Sequence, residues 1–138
     1  MVINLLESFY LRFPALPETY RSYIAKVLPM LSLVFGVIFL IATILHLIGT
    51  SVFSVFTLGG RTATDVQLLL IREVISIGQG LLMIFAVPYL NRREIRGWKL
   101  IFYAQILWML TAILSWSPWL LIAIVLFYFF FQAKKYYR

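Results

Sequence analysis

The chain has 138 residues, 63% hydrophobic and 12% charged, with twelve Lys and Arg against five Asp and Glu and a formal net charge of +7. Soluble domains are about half apolar and about a quarter charged, so an ordinary soluble domain is excluded, and the length leaves no room for a second domain. Zero cysteines exclude disulfides, thiolate metal sites and thiol redox chemistry, and with one histidine and five acids no metal site built from this chain alone is expected.

Residues 2–13 place Val2, Leu5, Leu6, Phe9 and Phe13 at near-helical spacing, with Asn4, Glu7, Ser8 and Arg12 between them. The stretch is too short and too polar to cross a bilayer, and its pattern predicts an amphipathic helix lying in the membrane interface. Pro14 and Pro17 end it, because proline lacks an amide donor and clashes in a helix interior. Tyr20, Arg21, Tyr23 and Lys26 then read as headgroup-level anchors, so that residues 1–23 form an interfacial segment. No basic stretch followed by an apolar core and a small-residue cleavage site stands here, so the first apolar helix is expected to be its own insertion signal.

Span 1 is expected over residues 27–49, with Pro29 in its first turn, where a missing amide is harmless. Residues 50–61 read as an outer loop or short interfacial turn ending at Gly59-Gly60. Span 2 is expected over 66–90, opened by a capping pattern of Thr64 with Gln67 and by Asp65 at the positive helix terminus. Spans 3 and 4 are expected over 98–115 and 117–132, joined by the tight turn Ser115-Trp116-Ser117-Pro118. Trp98, Trp116, Trp119, Tyr136 and Tyr137 fall at their ends, as an aromatic belt requires.

Ten of the twelve basic residues flank these spans on one side. They are Arg12, Arg21 and Lys26 before span 1, Arg92, Arg93, Arg96 and Lys99 between spans 2 and 3, and Lys134, Lys135 and Arg138 after span 4. Basic residues collect on the cytoplasmic side, so the expected fold is an all-α four-transmembrane-helix bundle with both termini cytoplasmic, in the inner membrane of a bacterial-type cell. The same cations attract anionic lipid headgroups, at on the order of 1 kcal/mol each. Standing beside apolar segments, they do not suggest nucleic acid as a partner.

Helices in lipid pack through small residues and polar seams. Ser32, Gly36, Thr43 and His46 share one face of span 1, and Arg72, Ser76, Gln79, Gly80 and Met83 one face of span 2. Ser32/Gly36 and Ser76/Gly80 are small-xxx-small pairs, expected at helix contacts. Span 3 contributes Gln105, Ala112 and Ser115, while span 4 is bulky all round and faces lipid or another membrane protein. Ionisable residues inside spans are functional candidates by default. His46, Arg72 and Glu73 fall at similar depth on antiparallel spans and, with Gln79 and Gln105, make the candidate polar or ion site. A His–Glu pair there can relay protons, since histidine titrates near neutral pH.

No GxGxxG, Walker or HExxH motif occurs, and Gly78-Gln79-Gly80 lies inside an apolar helix rather than in a phosphate loop. The sequence therefore points to a non-enzymatic integral membrane protein without cofactor, an accessory or assembly subunit of a membrane complex that meets another membrane protein or a second copy. The alternative is a small oligomeric transporter or channel using the polar site between spans 1 and 2.

Overall fold

A computed structural model of the chain describes residues 9–10, 12–56, 63–114 and 118–137, of which 50–56, 63–66, 114 and 119 are described by their backbone alone. Four α-helices follow in order: α1 (Glu18–Phe56), α2 (Ala63–Asn91), α3 (Ile95–Leu114) and α4 (Trp119–Ala133). A 3₁₀ turn over Lys134–Tyr136 closes the described chain, and no strand occurs among the described residues. Two stretches, Glu18–Gly49 of α1 and Gln67–Asn91 of α2, are long and apolar enough to cross a membrane.

The helices exceed their apolar stretches. With 39 residues α1 is about 58 Å long at the standard rise, almost twice a hydrocarbon core. It is already helical at Glu18, so Tyr20, Arg21, Tyr23 and Lys26 belong to it, and it continues to Phe56 through residues expected to be a loop. Hydropathy marks where lipid begins, not where backbone hydrogen bonding does. Pro29 consequently lies inside the helix instead of in its first turn. There its missing amide leaves the carbonyl of Ala25 without an i−4 donor. The buried hydroxyl of Tyr137 donates to that oxygen at 3.0 Å. Burial pushes the Tyr137 hydroxyl up to about 12, against a smaller opposing pull from Arg93, so it stays a neutral donor.

α2 is helical from Ala63, one residue before Thr64, and the capping pattern expected there falls on side chains outside the described residues. The turn at 115–117 is likewise outside them, and Pro118 stands at the N-cap of α4. α2 ends in a Schellman motif, with Arg93 N–H donating to Leu90 O and Glu94 N–H to Tyr89 O. The left-handed position, φ 59°, is held by Arg93 rather than glycine, at a cost of roughly 1–2 kcal/mol. The Arg93 guanidinium lies 5.8 Å from the centre of the Tyr137 ring.

Successive helices run antiparallel, as three sets of neighbours show. Ser32 faces Met83 and His46 faces Glu73; Gly97 faces Leu90 and Gly78 faces Leu107; Trp98 faces Phe130 and Phe102 faces Phe127. α2 packs along both α1 and α3, whereas α4 makes lighter contact with α1 and α3. The core is concentrated where α1 begins, α2 ends, α3 begins and α4 ends, around Ala25, Leu90, Trp98, Phe102, Phe127 and Phe130. Trp98 stacks on Phe130 at 4.7 Å between ring centres and donates its indole N–H to the Phe130 carbonyl. The basic groups around Arg21, Arg93, Lys134 and Lys135 gather at this same end.

The described residues before α1 lie against α4. Tyr10 stacks on Phe127 and Phe131, and its hydroxyl donates to the Ile124 carbonyl at 3.1 Å. The Tyr128 hydroxyl donates to Pro14 O, and Glu18 accepts from Lys135 and Tyr136. Residues 9–10 and 12–17 therefore track along α4 and turn back into α1 at Glu18. Residues 1–8 of the expected amphipathic helix are outside the described residues.

Candidate functional site

Gly36 and Gly80 set the distance between α1 and α2. A Cβ on Gly36 would stand 3.0 Å from the Gly80 carbonyl and 2.9 Å from Ile84, and one on Gly80 would stand 3.1 Å from the Gly36 carbonyl and 2.8 Å from Leu40. Backbone thus meets backbone at this crossing, which only glycine allows at such range. One turn away Ser32, 1% exposed, donates to the Met83 carbonyl at 2.6 Å. Interhelical hydrogen bonds between membrane helices average about 0.6 kcal/mol, so Ser32→Ala is expected to lower thermal stability by only about that amount in a detergent melt.

The same antiparallel register, carried along the pair, brings His46 to Glu73. The His46 Nδ1 and Glu73 Oε1 are 2.7 Å apart, an N–H on the ring donating to the carboxylate. The partners are unequally covered: the His46 side chain is 49% exposed and that of Glu73 only 7%. The pair lies far from the aromatic core, about 25 Å along α2 from Leu90 at the standard rise. With Gly78 opposite Leu107, Glu73 stands level with Ala112, near the end of α3.

The other expected members of the site are placed elsewhere. Arg72 is exposed, turned away from the face that carries Glu73. Ser76 is half-buried and donates back to the Arg72 carbonyl within its own helix, so it does not bridge helices. Gln79 is 3% exposed, and Gln105 has a buried Oε1 with no hydrogen-bond partner among the described residues. The α2–α3 register sets Gln105 level with Gly80, about 10 Å along the helix from Glu73. The polar residues therefore form two layers, a His46–Glu73 layer and an amide layer beside the glycine crossing. Among the described residues no group of three metal-ligating side chains comes together.

Gly97 is a contact residue that the sequence reading does not single out. A Cβ there would stand 2.7 Å from the Leu90 backbone nitrogen, so α3 starts flush against the end of α2. Its place beside Arg96 gives it the look of a basic loop, although a glycine in the first turn of an apolar helix is the signal that exposes it.

Coupling across the histidine–carboxylate contact can be measured by a double-mutant cycle. His46→Gln should cost more stability in the natural chain than in a chain already carrying Glu73→Gln. Removing the histidine alone leaves a nearly buried carboxylate uncompensated. A coupling of about 0.5–3 kcal/mol is expected, and strict additivity would mean the contact contributes nothing. No family model, curated protein or solved structure matches this chain.

Proposed function

We propose that this chain is a small non-enzymatic integral membrane protein, a four-span bundle with both termini cytoplasmic in a bacterial-type inner membrane, acting as an accessory or assembly subunit of a membrane complex. The observation that carries the reading is how little of its apolar surface the chain covers by itself. On α1, Phe35, Ile38, Ile41, Leu45 and Ile48 are all exposed, and α4 turns Leu121 and Val125 outward. Lipid covers such faces, and so does a partner helix. α4 is only 15 residues, about 22 Å, so beside the much longer α1 it leaves a flank on which a neighbour can pack. Half-exposed His46 is on the uncovered part of that helix, where a partner would shield a polar side chain from hydrocarbon.

Extraction in mild detergent, followed by native electrophoresis and identification of co-purifying membrane proteins, tests this. The expected result is a stoichiometric companion. A chain that runs alone as a monomer under every extraction would overturn it. The topology is checked separately. Single cysteines at Ser54 or Ser117 should react with an impermeant thiol reagent from outside and one at Asn91 should not. Labelling of Asn91 from outside would reverse the orientation.

The second reading, a small oligomeric transporter or channel, is favoured by one specific observation, the nearly buried Glu73 carboxylate held by His46. It predicts proton or cation flux in proteoliposomes that Glu73→Gln abolishes. The accessory reading predicts none in either protein.

A further inference from the structure

At the end where the basic residues gather, a cleft of about 370 Å³ opens between the start of α1, the start of α3, the end of α4 and the segment before α1. Three cations line it, Arg21, Lys134 and Lys135, together with the amide of Gln132, and Tyr10 and Phe131 form an aromatic wall. Among the described residues no acidic side chain lines it. Two of the cations already have contacts: Lys135 is bound to Glu18, and the Lys134 ammonium lies 5.4 Å from the centre of the Trp98 ring. Arg21 differs. Its Nε is shut off from solvent and hydrogen-bonds to nothing among the described residues. That Nε is as far out of a phosphate's reach as of water's, so a ligand in the cleft would meet the terminal nitrogens of the guanidinium, the side chain best shaped to pair with two oxygens of one phosphate.

We propose that this cleft is a binding site for a phosphate group, with Arg21 as its principal donor and Lys134, Lys135 and Gln132 as supporting ones. Given the membrane orientation argued above, on which this part rests, the cleft stands at the cytoplasmic headgroup level, and the phosphodiester of an anionic glycerophospholipid is the source nearest to hand. Basic pockets between membrane helices on that side hold such headgroups. The aromatic wall suits the first carbons of the glycerol and acyl chains. A bound phosphate also bridges four segments of the chain, so occupancy should stabilise the fold.

Native mass spectrometry of the full chain released from detergent, with phosphatidylglycerol or phosphatidylcholine added, counts retained lipids. A thermal melt in inorganic phosphate against chloride at equal ionic strength tests the soluble source. Phosphatidylglycerol retained over phosphatidylcholine, with retention falling on the order of fivefold in Arg21→Gln and partly restored in Arg21→Lys, supports a lipid phosphate. A phosphate-dependent melt that Arg21→Gln removes, without selective lipid retention, supports the site with a soluble ligand. Lys134→Gln repeats both measurements should Arg21→Gln fail to fold. Arg92→Gln, outside the cleft at an exposed position, is the control. Loss as large in Arg92→Gln as in Arg21→Gln would reduce the effect to general surface charge and overturn the proposal. So would no Arg21-dependent response to either ligand. These readouts do not involve a protein partner, so their failure leaves the subunit reading intact, and the reverse.

Discussion

Alanine at Gly36 should destabilise the protein by about 1–3 kcal/mol, while alanine at Gly49, in the same helix, should stabilise it by about 0.5–1 kcal/mol. The opposite signs follow from what each new methyl group meets. At Gly36 it lands 3.0 Å from the Gly80 carbonyl and 3.1 Å from the Met83 Cβ. Neither can swing aside, because one is backbone and the other is fixed to it, so α1 and α2 must separate. That separation also stretches the bond from Ser32 to Met83. At Gly49 nothing lies within 4 Å, so the substitution only removes the backbone freedom a glycine keeps in the unfolded chain. Gly80→Leu should be more damaging still, since Leu40 already occupies the space at 2.8 Å, and clearly worse than Leu82→Ala. Thermal melts of the purified variants in one detergent measure all four. Equal small effects at Gly36 and Gly49 would mean that the two helices are not in backbone contact.

Removal of one oxygen atom at Tyr137 should cost about 1–3 kcal/mol, and most of that cost should vanish when Pro29 is replaced as well. Tyr137→Phe leaves the Ala25 carbonyl buried with neither its intrahelical donor nor its substitute. In Pro29→Ala the restored amide can close the normal i−4 bond to Ala25, so the tyrosine hydroxyl becomes dispensable. A cycle of the two single variants and the double variant isolates this dependence from the packing of the Tyr137 ring. The pH sign is defined too. The unfolded tyrosine gives up its proton near 10, whereas in the fold Tyr137 keeps it to about 12. Its contribution is therefore whole below pH 10 and is lost as pH rises toward 12.

What the residues alone reveal, and what they hide, divides along one physical line. Small residues four apart on two successive apolar helices mark a close crossing, and Gly36 and Gly80 do meet. A short connection forces neighbouring helices antiparallel, which brings His46 to the depth of Glu73. Arg72 and Glu73, adjacent in sequence, point about 100° apart on a helix, and only the rotation of α2 decides which of them faces α1. On a helix that is apolar all round, hydropathy carries no record of that rotation. Pro29 sits inside α1 and not at its start because the edge of an apolar stretch is not a helix boundary, and α1 runs past both ends of the stretch expected as span 1 without a break. The segment holding Phe9, Tyr10 and Phe13 has the same amphipathic period whether it rests on lipid or on α4. The aromatic partners of Tyr10 and Phe13 on α4, Phe127, Tyr128 and Phe131, lie far along the chain, in its last helix.

That separation has a consequence for biogenesis. The contacts that tie down α1 and the segment before it, Tyr137 to Ala25, Tyr136 to Glu18 and Tyr10 to Ile124, join residues 112 to 118 positions apart. A chain made from its N-terminus completes α1 long before its tethers exist, and until then the helix keeps an unserved carbonyl at Ala25. The glycine crossing with α2 can form much earlier, because its two sides are far closer in sequence. Assembly should thus proceed as an early helix pair locked by a late clasp. A ribosome stalled before residue 124 should leave a nascent chain whose α1–α2 pair is formed but whose first helix is still open to proteases and chaperones at its N-terminal end.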